Sequence, residues 1–204
     1  MQSTLSYTEP QAFFAIKNAT ALAGFQMPSE TEVGALLRTL AATKQGGKML
    51  ELGTGTGLST SWLLDGMDEN ATLTSVDHDQ QLLDIARENL GNDARLDLVC
   101  ADCGEWLSEN AAARFDLIFA DTWHGKYLVT DEALALLNPG GLYIIDDMLP
   151  QENWPEGHSE KADALIAELY NKAGFTLVNL RWSSGVIIMT RRKESQYSYL
   201  NTKI

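Results

Sequence analysis

Glycines and carboxylates are the residues whose types and spacing could do chemistry in this chain. The run MLELGTGTGLST at 49–60 sets Gly53, Gly55 and Gly57 at alternate positions just after the acid Glu51. Glycine lets a backbone turn tightly and approach a ligand closely, because it has no Cβ to clash. The pattern is GxGxG, with the third glycine one position earlier than in the GxGxxG fingerprint of dinucleotide sites. A turn without a ligand is the plainer alternative. Asp77 follows twenty-four positions beyond Gly53, where a carboxylate can accept hydrogen bonds from both hydroxyls of a ribose. Loop and acid together imply a nucleoside ligand. Asp102 could accept a hydrogen bond from the amino group of an adenine, or serve only as a solvated loop residue.

A second set of acids lies further on. The segments FDLIFADTWHGKY at 115–127 and LLNPGGLYIIDDMLP at 136–150 carry Asp121, Asp146 and Asp147. Carboxylates crowded together repel one another unless protons or a cation compensate. A hard divalent ion is the natural occupant, and magnesium, which prefers oxygen ligands and keeps open positions for a substrate, fits best. The alternative is that Asp146 and Asp147 only cap a helix.

The elements that must position these residues alternate between short apolar runs and longer segments of helical period, which predicts a single α/β domain around a mainly parallel sheet. Strands are expected at Lys48–Leu52, Ala71–Val76, Leu96–Cys100, Phe115–Ala120, Leu142–Asp147, Phe175–Leu180 and Gly185–Thr190. Each acid then falls at or near the carboxyl end of a strand, the edge where open parallel sheets bind ligands. The few residues Arg181 to Ser184 are too short for a parallel crossover, so the last two strands form an antiparallel hairpin. Leu82, Leu83, Ala86 and Leu90 share one face of a helix from Gln80 to Leu90. Ala162, Leu165, Ile166, Leu169, Tyr170 and Ala173 do so between Ser159 and Ala173. Residues 1–45 form a helical cover of two segments, Pro10–Ala23 and Glu30–Thr43, with Ser29 as the N-cap of the second. The domain runs over 1–193, and 194–204 is a polar tail expected to be loosely ordered. Cys100 and Cys103 form a CxxC but cannot alone complete a zinc site, and they read best as two small residues where a strand runs into a loop. The loop from Leu149 to His158, with Trp154, either borders an acceptor pocket or merely connects elements.

Fifteen basic against twenty-eight acidic residues give a net charge of −13 in 204 residues, which disfavours phosphate backbones and anionic lipid as partners. No uncharged stretch approaches the roughly 18 residues of a membrane span. The N-terminal sequence has no export pattern, so a cytoplasmic location is expected.

These segments, in order, resemble the class I S-adenosylmethionine-dependent methyltransferases, and within them the catechol O-methyltransferase-like family of metal-dependent enzymes. The resemblance covers residues 27–193. It rests on ELGTGTG, Asp77, FxFADxWxxxY, GGxxxxDD and the strand pair ending in SSGVIIMTRR. It implies a Rossmann-like fold with a seven-stranded, mainly parallel sheet, an antiparallel C-terminal hairpin and helices on both faces. It implies S-adenosylmethionine as cofactor, with Glu51, Gly53, Gly55, Gly57 and Ser59 on its methionine and ribose side. Asp77 would hold the ribose, Asp102 and Trp123 would lie by the adenine, Asp121 would border the cofactor, and Met27 would lie near the transferred methyl group. It also implies a divalent metal, magnesium by preference, on Asp121, Asp146 and Asp147, and a hydroxylated, catechol-like small-molecule acceptor, in a monomer or homodimer. The chain departs from the family at two places. Asp147 stands where the family has an asparagine, and His124, followed by Lys126, stands where it has a general-base lysine. A histidine, with an ordinary pKa near 6.5, can take a proton at neutral pH. The competing functions are an NAD(P)-type oxidoreductase, a non-catalytic S-adenosylmethionine-binding protein and a tRNA-modifying methyltransferase.

Overall fold

The computed structural model describes residues 7–151 and 154–193. Two N-terminal helices, α1 (Phe13–Leu22) and α2 (Thr31–Ala42), precede an alternating series. It runs β1 (Lys48–Leu52), α3 (Leu58–Gly66), β2 (Thr72–Asp77), α4 (Gln80–Leu90), β3 (Leu96–Cys100), α5 (Cys103–Glu109), β4 (Phe115–Ala120), α6 (Thr130–Ala135) and β5 (Leu137–Ile145). The helix α7 (His158–Tyr170) and the strands β6 (Phe175–Leu180) and β7 (Val186–Arg191) complete the domain. The sheet has the order β3-β2-β1-β4-β5-β7-β6. Its first five strands are parallel, while β7 runs antiparallel between β5 and β6.

Burial on both faces explains why the central strands are almost continuously apolar. Leu50, Leu52, Ile118, Ala120, Tyr143 and Ile145 join one core with α5, α6 and α7. Met49, Leu73, Leu117, Phe119 and Ile144 join the other with α1, α2 and α3. Fully burying each such side chain is worth roughly 1.5–3 kcal/mol before the entropy of ordering is counted. Helix α4 starts where Asp79 Oδ1 accepts the backbone N–H groups of Gln81 and Leu82, at 2.9 and 3.3 Å, and it buries Leu83, Ala86 and Leu90 against the sheet.

The strands β1, β3, β4 and β6 begin and end where the sequence pattern places them. Strand β5 differs. It starts at Leu137 because the NPGG segment is absorbed as an irregularity between the pairs Phe115–Leu137 and Leu117–Leu142. It ends at Ile145 because Asp147 takes the left-handed conformation, with φ 55°, and no helix follows for the two aspartates to cap. Ser29 is not the N-cap of α2. Glu30 holds that position without a side-chain bond, and the Ser29 hydroxyl instead donates to Asp121 Oδ2 at 3.1 Å. On α7, Ala162, Leu165 and Leu169 are buried, but Tyr170 is largely exposed and Ala173 lies beyond the helix. The tail 194–204 lies outside the described residues. No helix among the described residues is long and apolar enough to cross a membrane.

Candidate active site

The parallel strands deliver their following residues to one edge of the sheet, and the glycine loop is the first of these. Gly53, Gly55 and Gly57 all have positive φ, at 99°, 52° and 93°. Gly53 is also where the residues following the parallel strands β1 and β4 come close together, since a Cβ there would lie 2.8 Å from the backbone oxygen of Asp121. The Gly55 N–H donates to Asp77 Oδ2 at 2.8 Å, and the Asp79 N–H to Asp77 Oδ1 at 2.9 Å. The loop and the β2 acid are therefore joined directly.

Behind the loop, Glu51 is fully buried on the face of β1 that meets α3. Its Oε2 accepts the hydroxyls of Thr60 and Ser75, each at 2.5 Å, and Ser75 also meets Thr54 at 2.6 Å. Burial pushes the Glu51 carboxyl up to about 7, against the lowering effect of hydrogen bonds from Ser75, Thr60 and Ser59. Oε1 is buried with no hydrogen-bond partner among the described residues. Leaving such an oxygen unmatched is costly. A ligand donor at the loop would relieve it, so the residues fit a cofactor that brings an N–H or O–H group to this position.

Asp102 follows β3 and caps α5, its Oδ1 accepting the N–H groups of Gly104 and Glu105 at 2.8 and 3.0 Å. Those backbone bonds, the Glu105 bond foremost, hold its carboxyl below the usual range. His124 lies on this side of the site, its Nε2 3.8 Å from Asp102 Oδ1. Cys100 is exposed and Cys103 buried, and they are not bonded to each other. Burial drives the Cys103 thiol up to about 12, which makes it a core residue and not a redox partner.

The segment after β4 doubles back on itself, with the N–H groups of Lys126, Tyr127 and Leu128 all donating to Trp123 O. The buried Tyr143 hydroxyl fixes the turn by donating to Gly125 O at 2.7 Å. Only glycine fits there, because a Cβ would meet that hydroxyl at 2.7 Å. The turn sends Lys126 inward. Its Nζ lies 3.4 Å from Asp121 Oδ1 and 4.0 Å from Asp147 Oδ2, and its side chain is only 7% exposed. Burial alone would lower the Lys126 amine, but Asp121, Asp147 and Asp146 together carry it above the ordinary lysine value. Burial pushes Asp121 up, Lys126 pulls it back, and Asp146 and Asp147 raise it again. Asp146 is buried and likewise raised, first by burial and then by Asp147. Its Oδ1 accepts the Ser184 hydroxyl, and also the Asp147 N–H at 2.7 Å.

The expected three-aspartate metal centre does not assemble. Among the described residues, no three His, Cys, Asp or Glu side chains come together as a metal-holding group. The physical reason is visible at each ligand: an ammonium lies against Asp121 and Asp147, and serine hydroxyls occupy Asp121 Oδ2 and Asp146 Oδ1. These residues do not fit a divalent ion.

Beside Lys126 stands an aromatic cluster that gathers Trp123, Tyr127 and Trp154 around His158, the one member with no role assigned from sequence. His158 packs against Trp154 at 4.3 Å between ring centroids, and against Tyr127 and Trp123 at 5.2 and 5.5 Å. Its Nε2 is 3.1 Å from the Tyr127 hydroxyl, while its Nδ1 is buried without a partner among the described residues. Trp123 remains 45% exposed. Across the loop, the N-terminal cover reaches the site through Ser29 and through Phe25, whose ring lies 3.3 Å from where a Gly55 Cβ would be. Thr20 and Thr56 join in a buried hydroxyl pair at 2.7 Å. Met27, in the same segment, is largely exposed.

A seven-stranded sheet in this order, with a glycine loop after β1 and acids after β2, β3 and β4, defines a Rossmann-like methyltransferase fold. Residues 50–148 match the family described as a methyltransferase domain. A "Putative O-methyltransferase" of Mycobacterium avium is 33% identical over 120 residues, covering 55% of this chain and 53% of that protein. A homologue of the same name from Mycobacterium ulcerans is also 33% identical over 120 residues, with the same coverage. The chain thus spans about half the length of the curated relatives it matches. In structure it is similar to an O-methyltransferase from Bacillus cereus in complex with SAH, with a TM-score of 0.79 and 20% identity over 93% of this chain and 94% of the other. It is similar also to the O-methyltransferase TomG from Streptomyces achromogenes, in complex with SAM, with a TM-score of 0.78 and 18% identity over 94% of each chain. The fold implied by the resemblance is therefore the fold observed, and the stretch 50–148 matches a methyltransferase domain.

Proposed function

We propose that the protein is an S-adenosylmethionine-dependent O-methyltransferase acting on a hydroxylated small molecule. The observation that carries this reading is the pairing of the three-glycine loop with Asp77 and with the unmatched buried oxygen of Glu51. The O-methyltransferase names of the relatives, and the SAH and SAM held by the structural neighbours, support it.

When bound, S-adenosylmethionine supplies a methyl group on a cationic sulfonium, with a neutral thioether as leaving group. The protein then has to hold and align. The glycine loop lets backbone N–H groups approach the ligand, and Asp77 accepts the ribose hydroxyls. Asp102 keeps Oδ1 on its helix cap, which leaves Oδ2 free to accept from the amino group an adenine would bring. Ser59 acts through Glu51, whose carboxyl it helps to hold down against the effect of burial. Trp123 offers a ring face for a flat group, and Phe25, Met27 and Ser29 lie in the segment that crosses above the loop. Alignment of this kind accounts for much of the acceleration of a displacement reaction. Lys126, kept as an ammonium by its carboxylate neighbours, is suited to stabilise an acceptor oxygen that is losing its proton. It is not suited to take that proton; the sequence candidate for that role, His124, faces Asp102 on the adenine side, so acting as the base requires its side chain to swing away from that contact. A chelated catechol would need a metal centre that these residues do not form, so the acceptor class is hydroxylated molecules without the requirement for two vicinal hydroxyls.

A methyl-transfer screen with hydroxylated aromatic and aliphatic acceptors, read out as S-adenosylhomocysteine released, tests the reading. Turnover of at least one acceptor class is expected, together with a loss of about tenfold or more for His124→Ala, in keeping with the usual contribution of a general base. Absence of turnover with any acceptor, despite tight cofactor binding, would reduce the protein to a cofactor-binding module.

A further inference from the structure

We propose that the Lys126 ammonium is the resident cation of this site, standing in place of a divalent metal among Asp121, Asp146 and Asp147. The inference deepens the methyltransferase reading and rests on it for the identity of the reaction, but not for the electrostatics of the cluster.

Three carboxylates within one turn of chain and a neighbouring strand end cannot share a partly dry site without a compensating positive charge. A divalent ion would have to sit about 2.0–2.6 Å from several of their oxygens. The space against Asp121 Oδ1 and Asp147 Oδ2 is taken by Nζ, at 3.4 and 4.0 Å. A metal there would meet both the volume and the like charge of the ammonium. Asp146 Oδ1 is also engaged, by the Ser184 hydroxyl and the Asp147 N–H. The backbone is built to this arrangement. The turn pinned by Tyr143 on Gly125 drives Lys126 inward, and the left-handed φ of 55° at Asp147 carries that residue out of the line of β5.

Two oddities of the sequence become one. Asp147 adds a negative charge where the resembled family has a neutral asparagine, and Lys126 brings the matching positive charge to within 4.0 Å of it. The pair is electrically coherent with a fixed ammonium and superfluous for a metal. Lys126 therefore has a positioning role in addition to the charge it offers an acceptor oxygen. It lies between Asp121 and Asp147, and it adds a positive charge beside the aromatic cluster of Trp123, Tyr127 and His158, where Lys161 also lies over the Trp123 ring.

The test is Mn2+ binding, followed by paramagnetic resonance of the free ion and by the thermal midpoint, with the full chain as wild type, Lys126→Ala, Lys126→Arg and Asp146→Asn. Wild type and Lys126→Arg should take up no Mn2+ and show no stabilisation by it. Lys126→Ala should be less stable than wild type and should gain affinity for Mn2+ of about tenfold or more, as removal of one repelling charge at this distance implies. Added Mn2+ should restore its thermal midpoint. Stoichiometric Mn2+ binding by the wild type, abolished in Asp146→Asn, would overturn the proposal, and that arm needs no Lys126 variant to fold. So would a Lys126→Ala protein that still binds S-adenosylhomocysteine yet gains no Mn2+ affinity. If no form binds S-adenosylhomocysteine while the metal results hold, the methyltransferase reading fails and the resident cation stands.

Discussion

Glu51 shows how a single residue couples the site to the stability of the fold. Folded, it ionises about pH 7; in the unfolded chain it would ionise near 4.5. Between those values the folded state holds a proton that the unfolded state has released, so stability falls as pH rises through this window. The loss amounts to about 3 kcal/mol at most. Asp121 and Asp146, both raised, act in the same direction. Glu51→Gln keeps the shape and removes the titration, so it should flatten that part of the pH dependence in unfolding experiments at about pH 5 and about pH 7.5. An unchanged slope would show that Glu51 is not the group responsible. Glu51 itself was legible in the sequence as the acid ahead of the glycine loop. Ser75 and Thr60 were not, because a hydroxyl in a strand or helix reads as ordinary until the partner it faces is known.

The elements explain which site residues a sequence could reveal. Parallel strands deliver their carboxyl ends to one edge, so Asp77, Asp102, Asp121 and Asp146 could be grouped from strand boundaries alone. Side-chain direction within a turn has no such rule. His124 and Lys126 are two positions apart, yet one faces Asp102 and the other Asp121. Ser29 fits the local rule for a helix cap, and a contact made ninety-two positions away overrides it. His158 arrives from the start of α7, which carries no motif, and Ser184 lies within SSGVIIMTRR, which marks the strand pair but gives no sign that its hydroxyl meets Asp146. The close approach of the ends of β1 and β4 at Gly53 gives an element-scale prediction. Gly53→Ala must adopt a φ of 99° with its Cβ 2.8 Å from Asp121 O. It should cost at least about 1–3 kcal/mol in urea unfolding and should weaken cofactor binding, since Asp121 must move. A variant as stable as the wild type would mean that the two strand ends are not locked together.

At the scale of the whole molecule, the net charge of −13 has a partial address. Glu51, Asp77, Asp102, Asp121, Asp146 and Asp147 all lie at or near the carboxyl ends of β1 to β5, and Lys126 is the one lysine or arginine that contacts the Asp121 group among the described residues. Such an edge attracts a cationic sulfonium ligand and disfavours one carrying phosphates. The mainly parallel sheet and its antiparallel end were readable from strand spacing and the short Arg181–Ser184 connection, but the strand order was not; the metal centre, inferred from acids at neighbouring strand ends and from the family resemblance, was not supported because the nearest cation comes from the chain itself. The central claim is that this edge binds S-adenosylmethionine, and calorimetric titration of the purified protein with that cofactor, with NADH as comparison, tests it most directly. The account predicts saturable one-to-one binding of S-adenosylmethionine, weakened about tenfold or more by Asp77→Ala through loss of its charge-assisted hydrogen bonds, and no binding of NADH. No heat with S-adenosylmethionine, or preferential binding of NADH, would contradict it.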